Sequence, residues 1–431
     1  MLLFLNTIFL DIMMILKIPF LLSLLINALF ASNLLIGQQH YFATKVPKNC
    51  SIYEQNRFVY NVLHDAYLWS DETPHDPSLI KRYRSPESLL YALRNSEDRY
   101  SYIEPLQSAD DFFLKGRFNN FGFIPFLTTL KDQRSAFIVG YVYPDSPAYY
   151  AGLRRGAIIT EIDHISVTPN NLHHIDQLLK EKRGVDFVFW RDHQRYQKRV
   201  KKYTYNVKTI SKPHIYQLGD RRVGYLVLSD FMSSKIGELR GYFAMLKRKN
   251  IDELILDLRY NGGGDVAMAN YIASAIAGEA LANRIAEYTH YNEKYSQFNS
   301  TLFFRDLPPE RVFNLKRIFL LTTKETCSAS ERLIHNLKAY PQEIEVVQIG
   351  QKTCGKPYGF YGAAIFCNKV LLAINTIAQN SNQEEIDIEG ITPTCVVEEN
   401  FMQPLGDKNE NYLKEALYYI NSGHCQEYIQ Q

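Results

Sequence analysis

The sequence predicts a multidomain α/β protein with a helical N-terminal region, a compact β unit and an α/β core. Three observations carry this. From about residue 212, apolar runs of strand length alternate with amphipathic helical stretches, the pattern of an α/β layer around a largely parallel sheet. Between about 108 and 205 the chain reads instead as short strands rich in β-branched and aromatic residues, with two helices among them. At 431 residues it is too long for one ordinary core. A hydrophobic content of 46% with 22% charged residues describes a chain that folds. The 48 Lys and Arg nearly balance the 46 Asp and Glu, and no basic run is long enough to argue for nucleic acid as a partner.

Residues 1–36 are expected to direct export. Ile18–Ala31 is an apolar run of 14 residues behind Lys17, the length of a signal-peptide core and short of the ~20 that span a bilayer. Leu29 is not the small residue that a cleavage site near Ala31 prefers, so an uncleaved inner-membrane anchor is the alternative. Either way the expected location is the periplasm or cell envelope. Six cysteines suit an oxidising compartment, and none has the C-x-x-C spacing of a zinc or redox site.

Residues 37–107 read as helical. Asn56–Trp69 has the helical period, and Ser85-Pro86-Glu87-Ser88 starts a helix running to Asn95. In the β unit, 108–205, Gly122–Leu130, Ala136–Val142 and Ala157–Ile165 are strand runs. Asn171–Lys182 is an amphipathic helix, and Phe187–Trp190 with Gln197–Lys201 form a hairpin. The core, 206–408, places strands at Val223–Leu228, Glu253–Leu258, Ile318–Thr322 and Ile344–Ile349. Its helices are Ile236–Lys249, Val266–Ala277 and Ala329–Ala339. Ala363–Thr376 adds strands, and 409–431 holds a closing helix, Tyr412–Ile420, and a tail.

Three short segments carry the chemistry. Thr326-Cys327-Ser328-Ala329-Ser330-Glu331 brings Ser328 to the head of an apolar helical pattern. A serine hydroxyl is a poor nucleophile at neutral pH without a base beside it, and Lys356, in Gly355-Lys356-Pro357, is the candidate base. Leu254–Gly264 is a buried-strand pattern running into three glycines. Gly262 and Gly263, with the N–H of Ala329, are the candidate oxyanion-hole donors. Each residue has a plainer reading. Ser328-Ala-Ser-Glu331 is a capping box, and the two roles coexist if Ser330 or Glu331 does the capping. Lys356 in isolation is a solvated loop charge. To act as a base it must fall from a pKa of about 10.4 to about 7.5, roughly 4 kcal/mol, which needs a constrained and partly apolar setting. Asp257 and Arg259 are read as supports of the strand end. Cys327 and Cys354 lie beside the candidate nucleophile and base; if those meet, the two thiols either form a disulfide or stay free and buried.

With these segments in place, the chain resembles the S41 serine peptidases, the family of C-terminal processing and tricorn-type proteases. The likeness runs from about residue 56 to about 420. It rests on LILDLRYNGGG at 254–264, TCSASE at 326–331, TCGKPYG at 353–359 and Glu389-Gly390-Ile391-Thr392-Pro393. The resemblance implies a crotonase/ClpP-like fold for the α/β core and a PDZ domain for the β unit. Asn120-Phe121-Gly122-Phe123 stands where a PDZ carboxylate-binding loop would be, so Phe121, Gly122 and Phe123 are the implied substrate-binding residues. The implied partners are polypeptides with apolar C-terminal tails, and the implied activity is that of an exported serine endopeptidase with a Ser–Lys dyad. It would need no metal and no organic cofactor. One position departs from the family. Many members carry a glutamine four residues after the lysine, where this chain has Phe360, which leaves the third catalytic member unassigned. Phe360 favours the alternative, a catalytically inactive peptide-binding protein of the same fold. His335 is read as a helix-surface residue.

Overall fold

The computed structural model describes residues 45–362 and 364–427, so the apolar segment expected to direct export lies outside the described residues. Among the described residues no helix is long and apolar enough to cross a membrane. The chain divides into two compact units.

The first unit runs to Asp110 and adds Tyr291–Phe298 and Gly359–Thr376. Helix α1, Ile52–Asp65, is capped by Ser51, and α2, Pro86–Leu93, opens with Pro behind a reciprocal Ser85/Ser88 capping box. This region was expected to be helical, yet Tyr102–Pro105 is a strand. It pairs antiparallel with Lys369–Leu372, which pairs in turn with Ala364–Phe366. That partner lies far along the chain, where periodicity gives no warning of it. A disulfide, Cys50–Cys367, joins the same distant segments. The buried Asn292 amide donates to the carbonyls of Asp65 and Tyr67 and to Ser70 Oγ, which ties in the third segment.

The second unit holds the β unit and the α/β core together, and it also contains the C-terminal helix. In the β unit, β1 (Phe123–Thr129), β2 (Ser135–Val142), β3 (Ile158–Ile162), β4 (Gly184–Arg191) and β5 (Gln194–Lys201) form an antiparallel sheet in that order. Helix α3, Leu172–Glu181, lies between β3 and β4 in the chain. The β4–β5 hairpin turns on Asp192 and His193, both at positive φ, which matches the right-handed strand twist.

The core sheet has six strands: β6 (Ile210–Leu218), β7 (Arg221–Leu228), β8 (Glu253–Asp257), β9 (Arg317–Thr322), β10 (Glu345–Gly350) and β11 (Cys395–Val396). Only the β6–β7 pairing is antiparallel. Both faces are covered, which is why the middle of β8, Leu254-Ile255-Leu256, is apolar without alternation. Leu254 and Leu256 face one cluster, with α4 (Ile236–Arg248), α5 (Val266–Ala277) and α6 (Ala329–Lys338). Ile255 faces the other, with Tyr412, Leu413 and Ile420 of α7 (Asn411–Ser422).

Candidate active site

Ser328 sits between β9 and α6 at φ 55°, ψ −116°, a conformation that β-substituted residues rarely adopt. Strain of this kind costs about 1–3 kcal/mol and persists only where surrounding bonds enforce it. Those bonds are present. Cys327 N–H and Ser330 Oγ both donate to Asn261 O, at 3.0 and 3.1 Å, and Arg332 N–H donates to Ser328 O. Thr326 Oγ1 donates to Leu258 O. Ala329 is the first residue of α6, so the helix itself makes no use of its N–H, and the helix dipole favours negative charge there.

The glycine turn lies directly against this serine. Gly263 has φ 103°, and a Cβ built there would stand 2.7 Å from Ser328 Cβ and 2.9 Å from Ala329 N. The Asn261 side chain shapes the turn: its Nδ2 donates to Leu228 O, and its Oδ1 accepts the Gly263 N–H at 2.9 Å. The Gly263 amide, expected as an oxyanion donor, is therefore already engaged. The reason is local, since an Asn side chain naturally accepts from the backbone two residues on.

Glu331 joins the nucleophile turn to the lysine loop. Its carboxylate is fully buried. One oxygen accepts the N–H of Ser328 at 2.8 Å and that of Lys356 at 2.9 Å; the other accepts Gly355 N–H at 2.8 Å and Thr353 Oγ1 at 2.6 Å. The amide nitrogens of Ser328 and Lys356 thus lie within about 6 Å of each other. Cys327 and Cys354 form a disulfide between the same two loops. The Gly390-Ile391 motif braces the lysine loop from behind, with Ile391 N–H on Thr353 Oγ1 at 2.7 Å. Lys356 is half-buried.

The sequence pointed to Glu331 only as a cap, and it is one, since it accepts the Ser328 N–H. Its reach to the lysine loop, 25 residues on, was not legible. Asn261 and Thr353 were missed altogether, although an Asn beside glycines is a recognisable turn former. His335 lies on the helix exterior and contacts Glu384 O. Phe360 belongs to the first unit, where its ring meets Tyr102 edge-on.

Asp257 and Arg259 do support the strand end. Arg259 is buried, bonds the Asp257 carboxylate through Nε and Nη2, and reaches Glu410 at 2.7 Å. Next to it, Tyr260 donates to Glu399, and Arg155 of the β unit bonds both, together with the carbonyls of Gly140, Asn400 and Gln403. In the Asn120–Phe123 loop, Gly122 O accepts from Tyr143 N–H and Ser146 Oγ. Phe121 is buried in the β-unit core, edge-on to Phe187, so its side chain is not available to a ligand, and its carbonyl accepts the N–H of Ala148. Phe123 is half-buried and also meets Phe187.

The description "Peptidase family S41" matches residues 222–397, "Peptidase S41 N-terminal domain" residues 54–102, and "PDZ domain" residues 138–191. A Staphylococcus epidermidis protein named as a CtpA-like serine protease is 27% identical over 214 residues, 49% of this chain and 40% of its own length. The chain thus spans less than half of that relative. A Bacteroides fragilis structure assigned to the S41 proteases superposes with a TM-score of 0.67 at 23% identity, covering 85% of this chain and 97% of that one. The photosystem II D1 C-terminal processing protease gives a TM-score of 0.51 at 17% identity, covering 81% of this chain and 94% of its own. At those identities the two structures speak for the fold. The chain belongs to the S41 peptidase family, with that family's N-terminal domain and a PDZ domain.

Proposed function

We propose that the protein is an exported serine endopeptidase in which Ser328 is the nucleophile and Lys356 the base. The observation that carries this reading is the single Glu331 oxygen that holds the amides of both residues. Neutral Lys356 takes the proton of Ser328 as its oxygen attacks the scissile carbonyl. The N–H of Ala329 at the head of α6 and that of Gly262 hold the oxyanion, while Gly263 supplies the room beside Ser328 that a side chain would fill. The Lys356 ammonium then protonates the leaving amine, and water resolves the acyl-enzyme. No metal or organic cofactor enters this scheme.

Substrates are polypeptides captured by apolar C-terminal tails in the PDZ unit, through the backbone of Phe121–Phe123. The names of the relatives, a CtpA-like protease and a C-terminal processing protease, are in keeping with this reading. Export to the periplasm or cell envelope is supported by the Ile18–Ala31 segment and by three disulfides that use all six cysteines. If the segment is retained, it anchors the protein in the inner membrane.

Wild type should degrade casein and label with a fluorophosphonate, and Ser328→Ala should do neither while unfolding at a similar temperature. Lys356→Arg should be as inactive, because arginine stays protonated at any working pH. Casein cleavage by a folded Ser328→Ala protein would sink the assignment. Absence of labelling in wild type would favour the non-catalytic peptide binder, the reading that Phe360 suggests.

A further inference from the structure

We propose that the Cys327–Cys354 disulfide is a positioning device for the Ser328–Lys356 pair, so that peptidase activity requires this bond to be oxidised. The inference rests on the dyad reading given above. Cys327 immediately precedes Ser328, and Cys354 lies two residues before Lys356, with their Cα atoms 5.2 Å apart. The loops they join follow β9 and β10, parallel neighbours whose register fixes the loops at their roots through Thr322 and Gly350. The disulfide fixes them at their tips. Each cysteine is also pinned by its own backbone, Cys327 N–H to Asn261 O and Cys354 N–H to Thr326 O, both at 3.0 Å. The cross-link therefore sits in the same frame that shapes the glycine turn.

Without the bond, the two loops are joined by hydrogen bonds alone: those to the Glu331 carboxylate, the Cys354 N–H to Thr326 O bond, and the Thr322–Gln351 bonds at their roots. Misplacing reacting groups by about 1 Å costs on the order of 10²-fold in rate. A bond closing 27 residues also removes freedom from the open loop more firmly than hydrogen bonds do. The other two disulfides have different placements. Cys50–Cys367 lies in the first unit, and Cys395–Cys425 ties β11 to the chain beyond α7. Both Cys327 and Cys354 are part-exposed, so small reagents can reach them. In forming the bond, the two thiols give up two protons and two electrons to a disulfide oxidant, which leaves as two thiols. The peptidase would then stay inactive where its dithiol is kept reduced and become active where it is oxidised.

The test begins with oxidised wild type, which must cleave casein; failure there would count against the dyad reading itself. A Cys327→Ser/Cys354→Ser variant that unfolds cooperatively should lose about 10²-fold in kcat with KM within about twofold, whereas a general loss of structure would raise KM as well. Wild type treated with dithiothreitol should lose activity and regain it with oxidised glutathione, and the variant should respond to neither. If the variant does not fold, the loss of wild-type activity must track alkylation of Cys327 and Cys354 rather than of the other four cysteines. A folded variant with near-normal kcat would overturn the proposal, as would activity loss that follows another disulfide.

Discussion

Glu331 is buried, yet it has four donors, which is what a carboxylate needs to stay inside a protein. Asp230 makes the opposite case. It follows β7, and its next residue, Phe231, exchanges backbone bonds with the glycine turn through Gly263 O and Asp265 N–H. Burial pushes its pKa up to about 7, although hydrogen bonds from Ser229 and Tyr143 act to lower it. Below the usual carboxylate range the folded and unfolded states are both protonated, and the group has no effect. As pH rises from about 4 to about 7, the unfolded chain loses its proton while the folded state keeps it, so stability falls; above about 7 the penalty levels off. About three pH units at ~1.4 kcal/mol each set the scale at roughly 4 kcal/mol. Asp230→Asn removes this titration. Its stability relative to wild type should rise between pH 4 and 7 and then stay level, as read by thermal unfolding across that range. A pH-independent difference would show that Asp230 ionises normally.

At the scale of elements, the site is three turns held against one another: Tyr260–Gly264 after β8, Thr326–Ser328 after β9, and Thr353–Lys356 after β10. All three follow the carboxyl ends of adjacent parallel strands, where open α/β sheets place their ligands. Gly263 shows how little room remains. An alanine there must adopt φ 103° and press its Cβ against Cys327 O and Ala329 N at 2.8 and 2.9 Å, and backbone atoms cannot turn aside. Gly263→Ala should therefore displace the Ser328 turn and lower kcat by at least about 10²-fold, comparable to the loss of an oxyanion donor. Gly262, whose Cβ would meet nothing within 4 Å, should accept alanine with a far smaller loss. Comparable kcat values for the two variants would refute this account of the turn. In the core, β6 and β11 went unread, whereas β7 to β10 and α4 to α6 were legible because each has an apolar face and a clear stop; Val266–Ala277 was read to the residue. The strands Ile285–Tyr291 and Ser300–Phe303 were not, because their mixed polar patterns acquire meaning only from partners elsewhere. Ser328, Lys356 and the glycines were legible as motifs. Local spacing gives the contacts of Glu331 with Ser328 N–H and of Asn261 with Gly263 N–H, but not the contacts that join the turns, from Glu331 across to the lysine loop and from Thr353 to Ile391.

At the scale of the molecule, the β unit and the α/β core share one compact unit, and β1 is one of the places where they meet, beside Arg155, Tyr141 of β2 and Tyr143 just beyond it. Phe123 packs with the β-unit core, while Ile124 and Phe126 pack with the sheet cluster that contains Tyr260; the Phe126 and Tyr260 rings lie 5.3 Å apart. Tyr260 directly precedes Asn261, whose side chain shapes the glycine turn. The strand is also an edge of its sheet, with β2 as its one neighbour there, so a substrate tail can pair along it as an added strand. A tail bound this way would lie along the element that contacts the active-site support. Its last residue would sit at the Asn120–Phe123 loop with its carboxylate on backbone N–H groups and its side chain near Phe123. Amidating a substrate's C-terminus removes that charge, and ending the substrate in Asp places a charge in an apolar setting. Both changes should raise KM for long substrates several-fold and leave the scissile bond untouched. A short peptide that spans the cleavage site but lacks the tail should be indifferent to either change. Equal KM for free-acid, amidated and Asp-ended forms of one long substrate would exclude tail capture and reduce the PDZ unit to a scaffold for the core.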